Sequence, residues 1–332
     1  MNNLKKLGLT ALAGSLALTT ANATEYSVTG DAILKYASID DPKGNEAASG
    51  KGIGVDTDLY FNASGETDNG WTVAFFQAAN TDGAWSNSSS QVTIGMGGLG
   101  TLKVNNKFGA AGNGIDDVMP AAYNETWDGM ALTTDNPSFF GSSTASGSVD
   151  YRIPAMEMMG ATINASYTYD GGADVGPAAA GGVTTTSVSG SAVTLEIAHE
   201  SGLSIGGGQE TIDNGGTAGG DEENVTVYAK FAMGPLTVGV QSSESDEAGG
   251  ATNDTESTGF GLSYQVNDDL AVSVGSHEIE YNSGDDQESF GVSASYTMGS
   301  LAIKAAMNNV DNIANTATND RDAYELGLTF AF

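Results

Sequence analysis

The chain has no cysteine, only two histidines and six prolines, and 11 Lys plus Arg against 42 Asp plus Glu. Without cysteine there is no disulfide framework, no thiolate metal site and no cysteine nucleophile. A formal charge of -31 repels phosphate backbones and excludes nucleic acid as a ready partner. Long hydrophobic runs are missing too. After residue 23 nothing approaches the roughly 18 consecutive apolar residues of a spanning helix. With 39% hydrophobic residues and 46 glycines in 332 positions, the apolar side chains must be laid out sparingly, on one face only.

What is present begins with an address. Lys5 and Lys6 precede an apolar run from Leu7 to Leu18, followed by Ala21-Asn22-Ala23, the small residues a signal peptidase needs. Residues 1–23 are therefore expected to be a cleaved secretory signal, leaving 24–332 as one mature domain. An anchor helix is the alternative, but the run is too short for a hydrocarbon core that needs roughly 20 apolar residues.

The rest of the chain alternates in twos, as an extended strand with one apolar face does. Tyr26, Val28, Ala32, Leu34 and Tyr36 interleave with Ser27, Thr29, Asp31 and Lys35; Ile53, Val55, Leu59 and Phe61 are set against Asp56 and Asp58. Further segments centre on Trp71, Val92, Leu102, Val149, Ile163, Val193, Leu203, Val225, Leu236, Phe260, Leu270, Phe290, Leu301 and Tyr324, which makes sixteen candidate strands. Glycines at 95–98 and 206–208 blur the ends of the fourth and ninth.

Connections alternate between short ones, such as Met233 to Pro235 and Met298 to Ser300, and long ones, such as Phe108 to Gly147 and Asp170 to Gly190. Tight turns at one rim and long loops at the other describe an antiparallel transmembrane β-barrel with an even strand count. That count puts both termini on the tight-turn, periplasmic rim. Lys35, Asp56, Asp58, Lys103, Lys107, Asp150, Arg152, Glu196, Lys230 and Lys304 all fall on the parity opposite the apolar set. Since a Lys or Arg facing lipid costs about 2–4 kcal/mol at the midplane, the charged face should line water. Closure follows, because an open edge would leave backbone groups unpaired in lipid. Aromatic residues near strand ends, including Trp71, Tyr169, Tyr264, Tyr296 and Tyr324, suit interface girdles. A secreted β-sandwich or solenoid would also alternate, but not with this many strands and this rhythm of connections.

Three features resemble a known family: the signal segment; the repeated units Phe231-Ala-Met-Gly-Pro-Leu-Thr-Val238 and Tyr296-Thr-Met-Gly-Ser-Leu-Ala-Ile303; and the terminal strand Tyr324-Glu-Leu-Gly-Leu-Thr-Phe-Ala-Phe332. The mature chain resembles the general diffusion porins of Gram-negative outer membranes, especially the alphaproteobacterial type. The resemblance implies a 16-stranded barrel, passive diffusion of ions and small hydrophilic solutes, no enzymatic activity and a homotrimer among lipid and lipopolysaccharide. It also implies insertion by the outer-membrane machinery through a strand ending on Phe332.

In that family the third external loop folds inward and narrows the channel. The matching segment is 108–147, with Asp116, Asp117, Glu125, Asp128 and Asp135 and no basic residue. The resemblance sets these acids across from basic wall residues, for which parity offers Lys35, Lys103, Lys107 and Arg152. The enterobacterial Pro-Glu-Phe-Gly turn has as its nearest counterpart Asn136-Pro137-Ser138-Phe139-Phe140-Gly141, without the Glu.

The external segments are acidic, with Asp221, Glu222, Glu223, Glu244, Asp246, Glu256, Glu278, Glu280 and Glu288 among others. Hard oxygen ligands of this kind could hold Ca²⁺ or Mg²⁺, although no twelve-residue EF-hand loop is present, and no other cofactor is expected. A solvated repulsive rim is the plainer reading. A negative mouth and constriction raise local cation concentration, so a cation-preferring channel is expected. An enzyme would need a nucleophile and a base, and the two histidines, His199 and His277, read as ordinary rim residues. A plugged adhesion barrel would need a plug domain that the chain has no room for.

Overall fold

The computed structural model describes residues 22–40, 49–80, 86–106, 112–115, 118–126, 146–171, 189–213, 220–247 and 254–332. The expected signal up to residue 21, together with Lys107, Asp116, Asp117, Asp128, Asp135 and 136–141, lies outside them.

The strands are β1 (Asn22–Asp40), β2 (Gly50–Glu66), β3 (Thr72–Asn80), β4 (Ser86–Gly95), β5 (Thr101–Asn106), β6 (Ser146–Arg152), β7 (Met156–Met158), β8 (Ala161–Asp170) and β9 (Ser189–His199). They continue with β10 (Leu203–Asp213), β11 (Glu222–Met233), β12 (Leu236–Asp246), β13 (Thr255–Gln265), β14 (Leu270–Tyr281), β15 (Gln287–Met298), β16 (Leu301–Asp311) and β17 (Arg321–Ala331). All pairings are antiparallel and, β6 and β7 apart, join chain neighbours, while β1 pairs with both β2 and β17, so the sheet closes on itself. β6 and β7 are two halves of one stave, since both pair with β8. The gap between them contains Pro154, which has no N–H to give a ladder. The barrel therefore has sixteen staves, as the alternation predicts. At its closing seam Gly30 and Phe332 exchange backbone hydrogen bonds of 2.8 and 2.9 Å.

Burial is inverted relative to a water-soluble protein. Tyr26, Val55, Phe260, Phe290, Tyr324 and Phe332 are exposed, while the largest fully buried side chains include Gln241, Gln287, Glu210, Asn105 and Asn224. An apolar belt this extensive would drive association in water, and it is satisfied by lipid. The polar face turns inward, where strands are stitched by side-chain hydrogen bonds such as Gln91 to Asn105 at 2.6 Å and Tyr228 to Glu196 at 2.7 Å.

The two repeated turn units are two-residue connections, Gly234-Pro235 and Gly299-Ser300, with φ of 60° and 61° at the glycines. A hairpin turn with a positive φ at its first central position takes glycine because residues with a Cβ are strained in that left-handed backbone, even though the space around both glycines is open.

Two expectations are revised. β10 runs unbroken through Gly206 to Gly208, because a ladder is made by backbone groups and not by side chains. Several acids placed on external loops stand on strands: Glu244 faces Glu256, Glu256 faces Glu280, and Glu278 faces Glu288 across neighbouring strands. The hydropathy pattern stops where lipid stops, but the sheet continues above it. The register of β1 against β2 shifts between Ala23 and Glu25 and is regular from there on.

Candidate functional site

The inward face of a barrel has room for water or for a loop, and here residues 112–115 and 118–126 occupy one side of it. The Ile115 carbonyl accepts from Gln241 Nε2 of β12 at 2.8 Å. The backbone N–H of Ala122 donates to Ser273 of β14 at 2.8 Å, and that of Tyr123 to Ser293 of β15 at 3.1 Å. Thr126 shares a 3.0 Å hydrogen bond with Ser289. All these partners stand on the parity opposite the exposed apolar residues. Ile115, Val118 and Met119 add an apolar footing in a buried cluster with Ala192 and Tyr228.

The loop can lie this close because the wall beneath it lacks side chains at two points. A Cβ on Gly239 would stand 2.7 Å from Pro120 Cδ, and one on Gly261 would stand 2.9 Å from the same atom and 3.0 Å from Pro120 backbone atoms. Real side chains do not approach so closely, so a larger residue at 261 must push the loop away from β13. The expected outcome for Gly261→Val is a folded barrel whose single-channel conductance differs measurably from the native one. Unchanged conductance and unchanged current noise in a planar bilayer would show that the loop does not govern the path.

The wall not covered by these contacts carries charge. On β1 and β2, Asp31 and Asp58 are direct cross-strand partners, with Asp56 two residues along on the same face. All three are half-buried, and the Tyr60 hydroxyl donates to Asp31 at 2.8 Å. The Tyr60 ring stacks on Phe76 with centroids 6.0 Å apart. Farther round, Lys103 faces Asp150 across the β5–β6 ladder, and Arg152 Nε lies 3.3 Å from Asp150 Oδ2.

Two of the bases expected to face loop acids have an acid of the wall beside them, while Asp116, Asp117, Asp128 and Asp135 of the loop lie outside the described residues. Lys35 is paired at 3.1 Å with Glu325 on the adjacent β17. Arg152 is paired with Asp150 two residues back on its own strand. Glu125 is buried at the loop–wall contact, where its carbonyl oxygen accepts from Asn308 Nδ2 at 3.5 Å, so it does not present its carboxylate to open water. The physical reason is proximity: a neighbouring strand lies about 5 Å away, far closer than the opposite wall. Sequence reasoning passed over Glu325, Tyr123 and Tyr60 as functional residues. The inward parity of Glu325 was readable, but its partners come from opposite ends of the chain.

His277 is a further correction. It is 2% exposed on the inward face of β14 and not an exposed rim residue, because its parity is that of Ser273 and Gly275. His199 is exposed at a turn, where its Nδ1 lies 2.8 Å from Ser201 Oγ. Among the described residues no group of three or more His, Asp or Glu is arranged to hold a metal ion.

The family model for a Gram-negative porin matches residues 8–296 and 242–332. The chain belongs to the Gram-negative porin family. Solved structures agree in fold. A porin refined at 1.8 Å is 18% identical, with a TM-score of 0.65, covering 93% of this chain and 100% of its own. An anion-selective porin from Comamonas acidovorans is 17% identical, with a TM-score of 0.65 and coverage of 93% and 100%. A loop-deletion variant of OmpT from Vibrio cholerae is 14% identical, with a TM-score of 0.65 and coverage of 93% and 99%. A comparison with curated protein sequences finds no match. This porin is thus an integral outer-membrane protein and a non-enzymatic channel for passive diffusion of small solutes.

Proposed function

We propose that the channel admits ions and small hydrophilic solutes with a preference for cations. One observation carries this reading. Asp31, Asp56 and Asp58 stand together on the wall, and Lys35 and Arg152 each have a carboxylate beside them. A pore's selectivity follows the sign of the charge its water sees, and paired bases contribute little to it. The Comamonas acidovorans relative is described as anion-selective, so the barrel itself is compatible with either sign and lumen side chains must decide. The outward carboxylate rows Glu244–Glu256–Glu280 and Glu278–Glu288 add a negative rim above the apolar belt.

The same reading takes residues 1–23 as the export signal and 24–332 as the mature domain, with both ends on the periplasmic, short-turn rim. It takes the strand ending on Phe332 as the insertion signal and the functional unit as a homotrimer in lipid and lipopolysaccharide. Divalent cations at the acidic rim would relieve repulsion between directly opposed carboxylates.

Purified protein in a planar bilayer under a KCl gradient is expected to conduct, with a reversal potential of the sign that K⁺ permeation produces. A reversal potential of the opposite sign would overturn the cation reading. Absence of conductance would overturn the open channel.

A further inference from the structure

The inward loop meets the barrel's closing seam at Tyr123. The Tyr123 hydroxyl donates to Glu325 Oε1 on β17, and its ring lies 5.3 Å from Lys304 Nζ on β16. Glu325 Oε1 also holds Lys35 Nζ of β1 at 3.1 Å. The carboxylate is 4% exposed, against 34% for the Lys35 side chain. Lys304 and Lys35 are both ladder partners of Gly327, one from each side. Since that position has no side chain, the phenol finds room between two ammonium-bearing strands. Its oxygen lies 3.5 Å from where a Gly327 Cβ would stand.

We propose that Tyr123, Glu325 and Lys35 form a latch that fixes the inward loop to the seam and masks two lumen cations. Glu325 is its positioning and selectivity-determining residue. The masking has two parts: an ion pair quiets Lys35, and the electron-rich face of Tyr123 quiets Lys304. If Glu325 lost its charge, Lys35 would stand bare on the strand that carries Asp31, about 13 Å along it and close enough to offset its field at low salt. One carboxylate therefore serves the loop and the ion preference together. The selectivity arm rests on the cation reading above, and the loop arm does not.

The test compares native protein with Tyr123→Phe, Glu325→Gln, Lys35→Met and the Lys35→Met/Glu325→Gln double variant in planar bilayers. Heat-dependent gel mobility reports that each barrel is closed. Tyr123→Phe is expected to close at lower voltage or with more current noise, at nearly native reversal potential. Glu325→Gln is expected to lower the cation-to-anion permeability ratio about twofold or more at low salt. The double variant is expected to recover the native ratio while keeping the looser loop, since the unmasked charge is gone. A purely structural Glu325 would not give that recovery, and its absence would overturn the masking. Native closure in both Tyr123→Phe and Glu325→Gln would overturn the loop tether. If Glu325→Gln did not fold, Tyr123→Phe would decide the tether and Lys35→Met the masking, the latter overturned if the ratio fell. Should the native channel prefer anions, the cation reading fails, yet the shift on Glu325→Gln still decides the latch.

Discussion

Leu262→Arg is expected to destabilise the folded barrel by about 2–4 kcal/mol, while Ser263→Arg, one residue away, is expected to leave it folded. Leu262 lies between Phe260 and Tyr264 on the outward face of β13, with Val238 and Val274 as ladder partners. A guanidinium there has only lipid around it and must drag water inward or force the strand to shift. Ser263 faces the lumen beside Thr237 and Ser273, where an arginine head keeps its hydration. The difference corresponds to roughly a 30- to 900-fold change in the folding equilibrium. Urea unfolding in lipid vesicles, followed by intrinsic fluorescence, measures it. Equal midpoints for the two variants would contradict the assignment of the faces.

Neutralising Asp31, Asp56 and Asp58 together to Asn is expected to remove most of the cation preference. Asn has nearly the shape of Asp, and an amide oxygen at position 31 can still accept from Tyr60, so the β1–β2 ladder should survive. What is lost is the local negative potential, which raises cation and lowers anion concentration together. The permeability ratio is expected to fall by roughly five- to tenfold at 0.1 M salt, where the screening length is about 10 Å. The effect should shrink at 1 M, where screening reaches only about 3 Å. A reversal potential unchanged at low salt would show that the acidic rim, and not the lumen patch, sets the preference. Acid-to-amide changes at Glu244, Glu256 and Glu280 provide the comparison, since those residues face away from the lumen.

Much of the barrel was legible before any coordinates, because lipid imposes a rule that a strand's period of two records directly. Val28, Val55, Phe260 and Leu326 face out for the same reason that Asp31, Asp56, Gly261 and Glu325 face in. The pattern was less informative where lipid was absent. Above the belt Ser242, Glu244, Glu256 and Glu280 carry no apolar alternation, and only the ladders show that they belong to strands. The stave broken at Pro154 was readable as one strand with a proline beside it, but not as two paired halves.

The functional wall was legible in kind but not in partnership. Parity put Lys35, Lys103 and Arg152 on the inward face, and it could not say which carboxylate each would meet. Lys35 meets Glu325, almost the whole chain away, only because the sheet closes on itself. Likewise Gly239 and Gly261 look like ordinary strand glycines until Pro120 is seen packed over them.

By itself the sequence determined the barrel, its two faces and its sixteen staves, because contact with lipid is a local constraint on every second residue. Tertiary structure alone decided where the inward loop lies and which lumen charges are quenched. Those outcomes depend on closure of the sheet and on contacts between residues from opposite ends of the chain, and no local periodicity encodes them.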